Sequence, residues 1–159
     1  MNPNNDIVLR PGHPGDADRL TGIARAAKAH WGYPAAWLEG WRLELTVTAA
    51  GIAGGRYRVA ELAGETVGFV AIGDGHGVPE IEHLWVLPRA MGRGIGSRLL
   101  AATLAECRAA GAARVRVVSD PHAAGFYRRH GARPAGEVPS TPAPRRLPLL
   151  EFLLVEPTP

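Results

Sequence analysis

The stretch Val86-Leu87-Pro88-Arg89-Ala90-Met91-Gly92-Arg93-Gly94-Ile95-Gly96-Ser97-Arg98-Leu99-Leu100 limits the possible folds of this chain more than any other. An apolar strand passes through a proline into glycines spaced two apart, and a helical pattern follows at once. Glycines at that spacing let successive backbone N–H groups turn into one concavity. The first turn of the following helix adds unpaired donors and the positive end of its dipole. The result is an anion cradle that would hold a diphosphate without a metal. Arg89, Arg93 and Arg98 crowd the same loop and offer forked donors for further phosphate charge. Two better-known phosphate loops are excluded by spacing. The Walker loop needs a Gly-Lys-Ser/Thr ending where Gly96-Ser97-Arg98 stands, and the dinucleotide fingerprint needs a glycine in place of Leu99.

The length of 159 residues suits one domain, 1–159, with a core that needs neither disulfides nor metals. Cys107 is the only cysteine, and its helical spacing from Leu100 and Leu104 reads as a small core residue in a protein of a reducing compartment. The first ten residues are polar, and no apolar run approaches the roughly 18 residues of a membrane span, so a cytoplasmic protein is expected. Net charge is +3, carried almost wholly by arginine, since Lys28 is the sole lysine. The basic residues gather at the glycine loop, at Arg114 and Arg116, and at Arg128 and Arg129. No aromatic residues interleave them, which favours a small polyanion over nucleic acid.

Periodicity along the chain predicts a strand near Ile7–Arg10, then Asp16 as the cap of a helix carrying Leu20, Ile23, Ala24 and Ala27. A second helix is predicted over Ala35–Glu44, with Trp37 and Trp41 on one face. A glycine-bearing stretch leads to a hairpin of Tyr57–Leu62 and Thr66–Ile72 about the turn Ala63-Gly64-Glu65, and Asp74-Gly75-His76-Gly77 forms the next turn. Strand Glu80–Leu87, the cradle, a helix ending near Gly111, strand Arg114–Ser119 and a short helix with Phe126 and Tyr127 follow. A proline-rich loop and an apolar terminal strand, Leu149–Val155, close the chain; that strand offers an edge for pairing across a homodimer. The order β-α-α-β-β-β-α-β-α-β-β describes a mixed α/β sheet.

The cradle resembles the loop of the GNAT superfamily of acyl-CoA N-acyltransferases, in which Gln or Arg, two residues, Gly, one residue, and Gly or Ala hold the coenzyme A pyrophosphate. Gly94 and Gly96 take the two small positions. Met91 stands where the family has Gln or Arg and brings no side-chain donor. About two dozen residues on, Asp120-Pro121-His122-Ala123-Ala124-Gly125-Phe126-Tyr127 is similar to the second GNAT signature, with Asp120 in place of the usual Asn. Two motifs in this order and at this spacing make the resemblance specific, and it extends over the whole chain. It implies the GNAT fold, acetyl-CoA as co-substrate, no metal, and acyl-CoA contacts from Leu84, Val86, Met91, Gly92, Arg93, Gly94, Ile95, Gly96, Ser97, Asp120, Ala123 and Phe126.

An N-acyltransferase must take a proton from an ammonium before the amine attacks a thioester, and must then let a thiolate leave. In Glu80-Ile81-Glu82-His83-Leu84-Trp85-Val86 side chains alternate, so Glu80 and Glu82 lie side by side on one face. Mutual repulsion in a semi-enclosed cleft pushes at least one carboxyl upward, toward a useful base. The resemblance puts proton acceptors at the same two positions, and either glutamate fits. The alternative is that both hold a cationic substrate or face water. His83, among Ile81, Trp85 and Leu87, reads as a core histidine. Tyr127 matches the family residue whose hydroxyl protonates or hydrogen-bonds the departing thiolate, the alternative being a core aromatic beside Phe126. His30, Trp31 and Tyr33, with Trp37 and Trp41, suggest either an aromatic wall for a small amine acceptor or the packing of two helices on the sheet. A non-catalytic acyl-CoA-binding sensor is the rival reading of the whole.

Overall fold

The computed structural model describes residues 6–155, so the first five of the polar N-terminal residues lie outside it. Its elements are β1 (Ile7–Pro11), α1 (Ala17–Ala29), α2 (Ala35–Gly40), α3 (Ala49–Gly54), β2 (Arg56–Leu62), β3 (Glu65–Gly75), β4 (Val78–Val86), α4 (Ile95–Ala109), β5 (Arg114–Val118), α5 (Ala124–Arg129), β6 (Arg133–Pro139) and β7 (Arg146–Leu153). The seven strands form one mixed sheet ordered β1-β2-β3-β4-β5-β7-β6, the α/β class expected. β4 and β5 run parallel, whereas β1–β2, β5–β7 and β6–β7 are antiparallel. No helix among the described residues is long and apolar enough to cross a membrane.

The chain divides into two compact units, the first reaching up to Ala71 and resuming at His83–Leu100, the second comprising Ile72–Glu82 and Ala101 onward. In the first unit α1 buries Leu20, Ile23, Ala24 and Ala27, the four positions its periodicity predicts. Leu20, Ile23 and Ala24 pack with Trp41, Leu45, Val47, Ile52, Val59 and Phe69, and burial of each large apolar side chain stabilises by about 1.5–3 kcal/mol. The second unit buries Val115, Val117, Leu150 and Phe152, alternate residues of β5 and β7, with Tyr127 against Phe152 at 6.3 Å between ring centroids.

Several boundaries differ from the sequence reading, each for a physical reason. Asp16 stands at the start of α1 but its side chain does not cap it. Its carboxylate accepts the His13 N–H and closes a 3-10 turn, Pro14–Asp16, while both oxygens take guanidinium donors from Arg10 at 2.8 and 2.9 Å. α2 stops at Gly40 rather than Glu44 because Trp41 leaves helical geometry and turns into the core. α3 is unexpected, since Ala49-Ala50-Gly51-Ile52-Ala53-Gly54 has weak helix propensity. Thr48 starts it by accepting the Gly51 N–H at 2.9 Å, and Ile52 anchors it in the core. β3 runs on to Gly75, so the turn narrows to His76 and Gly77, both at positive φ, as are Ala63 and Gly64 in the preceding hairpin. The proline-rich tail holds a strand, β6, whose pairing with β7 is bulged between Pro134 and Gly136. β7 is therefore flanked on both sides, by β5 and β6, and has no free edge for pairing across a dimer.

Arg10 also donates to Glu61 at 2.7 Å, so a half-buried guanidinium ties β1, the 3-10 turn and β2 together. Its hydrogen bond holds the Asp16 carboxyl below its usual value of 3.8. A depressed carboxyl contributes stability above its unfolded pKa and loses it as pH falls through the folded value. Asp16→Asn is expected to cost about 1–3 kcal/mol at neutral pH. Urea unfolding across pH should show that difference shrinking once pH drops below the carboxylate range.

Candidate active site

The glycine cradle belongs wholly to the first unit. β4 ends at Val86, a 3-10 turn spans Pro88–Ala90, and the backbone then reaches α4 through Gly92 and Gly94, both at φ +78°. A side chain at either glycine would be forced into the left-handed region that L-residues avoid. Gly94 accepts the Arg98 N–H at 3.0 Å, which places Ile95, Gly96 and Ser97 in the first turn of α4. Ile95 is fully buried and fixes the helix start against Gly68 of β3, where a Cβ would meet its Cγ2 at 3.3 Å and the Trp85 carbonyl at 2.9 Å. The exposed Gly92, Arg93 and Gly94 form the rim.

The three arginines of this loop do not act alike. Arg89 pairs with Glu65, which also takes Arg19, and Arg98 donates to the Ile7 carbonyl at 3.0 Å. Arg93 is exposed and has no protein partner among the described residues, so it alone keeps its donors wholly for a ligand. Met91 is half-buried.

His83 is mostly buried, and its Nδ1 accepts the Trp85 indole N–H at 3.0 Å. Burial holds the imidazole below its usual pKa, so the neutral ring carries its proton on Nε2. Its ring lies 5.6 Å from that of Phe69, which matches the core reading of this histidine. Leu84 and Val86 follow on β4, both half-buried.

Among the aromatic residues, Tyr33 stacks near Trp37 at 6.0 Å and meets Trp41 edge-on at 5.0 Å. The Lys28 ammonium sits 5.0 Å from the Tyr33 ring and 4.5 Å from that of Trp41, in contacts that attract a cation to the ring faces. The aromatic wall thus holds a cation supplied by the chain itself. His30 and Trp31 meet edge to face on the exposed side.

The carboxylates belong to the second unit. Both lie over glycines of β3: an added Cβ on Gly73 would stand 1.9 Å from Oε1 of Glu82, and one on Gly75 would stand 3.0 Å from Oε1 of Glu80. They share a face, as alternation predicts, and the two glycines two apart beneath two glutamates two apart are a sequence signal that was missed. Glu80 is abreast of Arg116 on β5, and the β4–β5 ladder continues with Ile81↔Val117.

Tyr127 is buried on α5, and burial with the nearby negative charge of Asp120 pushes its hydroxyl well above the usual value. The Asp120 carboxylate accepts the His122 N–H at 2.8 Å, and its other oxygen lies 3.9 Å from an Arg145 nitrogen. Arg145, hidden in the proline-rich stretch, was not singled out by sequence. Ala123 and Phe126 are half-buried, and the Phe126 ring lies 5.3 Å from Tyr127. No group of three or more His, Cys, Asp or Glu able to hold a metal occurs among the described residues.

Residues 53–131 match the family profile described as the acetyltransferase (GNAT) domain, a stretch that takes in both carboxylates, the cradle and Tyr127. The fold is similar to that of a GCN5-related N-acetyltransferase from Rhodopseudomonas palustris, with 24% identity and a TM-score of 0.77 over 92% of this chain and 94% of that one. It is similar also to PaiA N-acetyltransferase from Thermoplasma acidophilum in complex with coenzyme A, with 16% identity and a TM-score of 0.73 over 92% and 98%. A GNAT family acetyltransferase from Brucella melitensis in complex with acetyl-CoA gives 23% identity and a TM-score of 0.63 over 96% and 91%. At these identities the likeness is one of fold. No curated protein sequence matches the chain.

Absorbance titration distinguishes Tyr127 from the other two tyrosines. The difference between the wild-type protein and Tyr127→Phe should show no tyrosinate signal at pH 10, where an unperturbed phenol is half ionised. A full tyrosinate signal there would mean that the hydroxyl reaches water.

Proposed function

We propose that this chain, which carries a GNAT acetyltransferase domain over residues 53–131, transfers an acetyl group from acetyl-CoA to the amine of a small molecule, amino acid or peptide. The observation that carries this reading is the cradle: two left-handed glycines and the first turn of α4 form a preorganised diphosphate site next to an unpaired arginine, Arg93. Its backbone donors do not depend on the side chain at Met91. Fold neighbours that hold coenzyme A or acetyl-CoA support the choice of ligand. In this reading Met91 to Ser97 bind the pyrophosphate, the β4 backbone at Leu84 and Val86 pairs with the pantetheine arm, and Ala123 and Phe126 flank it. Asp120 orders the turn before α5 through His122 and Arg145.

The chemistry follows from the groups at hand. A carboxylate of the Glu80 and Glu82 pair takes a proton from the ammonium, directly or through one water, and the freed lone pair attacks the thioester carbonyl. As the tetrahedral intermediate collapses the C–S bond breaks, the leaving thiolate takes the proton or the hydrogen bond of the Tyr127 hydroxyl, and the second proton of the attacking nitrogen, passed through water, restores the phenol. Transfer is direct in a ternary complex, because Cys107, the one thiol, is 1% exposed and cannot serve as an acyl carrier. His83 is held as a neutral ring whose Nδ1 is already occupied, so it is not the base. His30, Trp31 and Tyr33 border the acceptor, with Lys28 filling the inner part of the aromatic cluster. A buried single cysteine suits a reducing compartment, and the cytoplasm is the proposed location.

Calorimetric titration of acetyl-CoA, together with thiol release on butylamine, phenethylamine, glycinamide and a lysyl peptide, tests the assignment. Binding with amine-dependent release is expected. Binding without release on any amine would indicate a sensor, and absence of binding would overturn the cradle. Tyr127→Phe should lower kcat by about 10²-fold or more while leaving acetyl-CoA affinity within about twofold. The double variant Glu80→Gln with Glu82→Gln should abolish the alkaline-rising limb of the pH–rate profile.

A further inference from the structure

From the geometry of β3 and β4 we infer that Gly73 is a positioning residue, a seat that fixes the Glu82 carboxylate and makes Glu82, rather than Glu80, the base. This rests on the reading of the chain as an acetyltransferase that uses a β4 carboxylate. The two glutamates are not seated alike. Over Gly73, the space a Cβ would fill is already taken by the end of the Glu82 side chain, with Oε1 at 1.9 Å, Cδ at 2.4 Å and Oε2 at 3.1 Å. Over Gly75, the Cβ, Cδ and Oε1 of Glu80 are all 3.0 Å away, a tight contact but one that leaves the Cβ position itself vacant.

Glutamate on an exposed strand normally samples many rotamers, and a base that wanders spends little time within reach of the proton it must take. Gly73 gives Glu82 one resting place that Glu80 lacks, a slot that any other residue would fill. The charged surroundings separate the two glutamates further. Glu80 is abreast of Arg116 on β5, whose next neighbour is Glu151 on β7, itself opposite Arg133 on β6. Glu80 thus stands at the end of a row of alternating charges in the strand register; neither glutamate has a hydrogen-bond or ion-pair partner among the described residues. Asp74, between the two glycines, points to the opposite face by strand alternation. An exposed carboxylate whose oxygens are uncommitted and which rests in a slot of the neighbouring strand is suited to accept a proton.

The same geometry provides a clean test. A methyl group at position 73 collides only with the far end of a flexible side chain, so it should swing the carboxylate aside and leave the backbone in place. Gly73→Ala is expected to keep its acetyl-CoA affinity by calorimetry, to move the Glu82 side-chain carboxyl resonance in carbon NMR of the free protein but not that of Glu80, and to lower kcat at least tenfold with a shifted pH–rate profile. In the Glu82→Gln background the same change should cost nothing more. Equal losses in both backgrounds would overturn the proposal. So would an unshifted Glu82 resonance with wild-type kinetics, and if Glu82→Gln remains impaired in that case, the base assignment survives without its seat. Wild-type kinetics in Glu82→Gln itself would remove the base role from Glu82. Should Gly73→Ala unfold, refolding in Gly73→Ala with Glu82→Ala would still locate the collision at the carboxylate, whereas failure of both to fold would overturn the seat.

Discussion

The backbone between β4 and α4 is the constraint on which the rest depends. A strand must become a helix within a few residues while its amides stay turned toward one point, and only a chain that can adopt the left-handed conformation twice does this cheaply. Gly92 and Gly94 are the two residues that adopt it, and Ile95, buried to 1%, locks the outcome by packing the first turn of α4 onto β3. Gly68 has no side chain because the Trp85 carbonyl and Ile95 leave no room for one. Local conformation, helix start and sheet packing thus agree on one geometry for this segment.

Glycine serves a second purpose elsewhere in the same sheet. At Gly73 and Gly75 the backbone is extended and needs no unusual torsion; what matters there is empty volume. One pair of glycines shapes the chain and the other leaves space above it. Sequence inspection finds the first kind readily, because turn chemistry is local. It misses the second, because the significance of Gly73 is visible only once β4 lies beside β3 and brings Glu82 over it.

The same division explains what else was legible. The amphipathic face of α1, the hairpin turn at Ala63-Gly64, the alternation along β4 and the short helix bearing Tyr127 are written within a few residues of sequence, and the structure has them. α3 was not, since its glycine-rich segment is held by Thr48 and by the distant core contact of Ile52 rather than by propensity. Asp16 looked like an ordinary cap until Arg10 claimed both of its oxygens. Arg145 could not be anticipated from its proline-rich surroundings, because its partner Asp120 is remote in sequence. The aromatic residues after α1 suggested a cavity for an amine. Nothing in their spacing announced that Lys28, one turn earlier, would occupy the faces of Tyr33 and Trp41.

That placement of Lys28 has a consequence for the behaviour of the protein as a chemical object. It is the only lysine in the chain and is 8% exposed, with its ammonium held against two rings. All other basic side chains that are always charged are guanidinium groups, which do not react with thioesters under ordinary conditions. The chain therefore offers an acyl thioester no accessible ε-amine of its own.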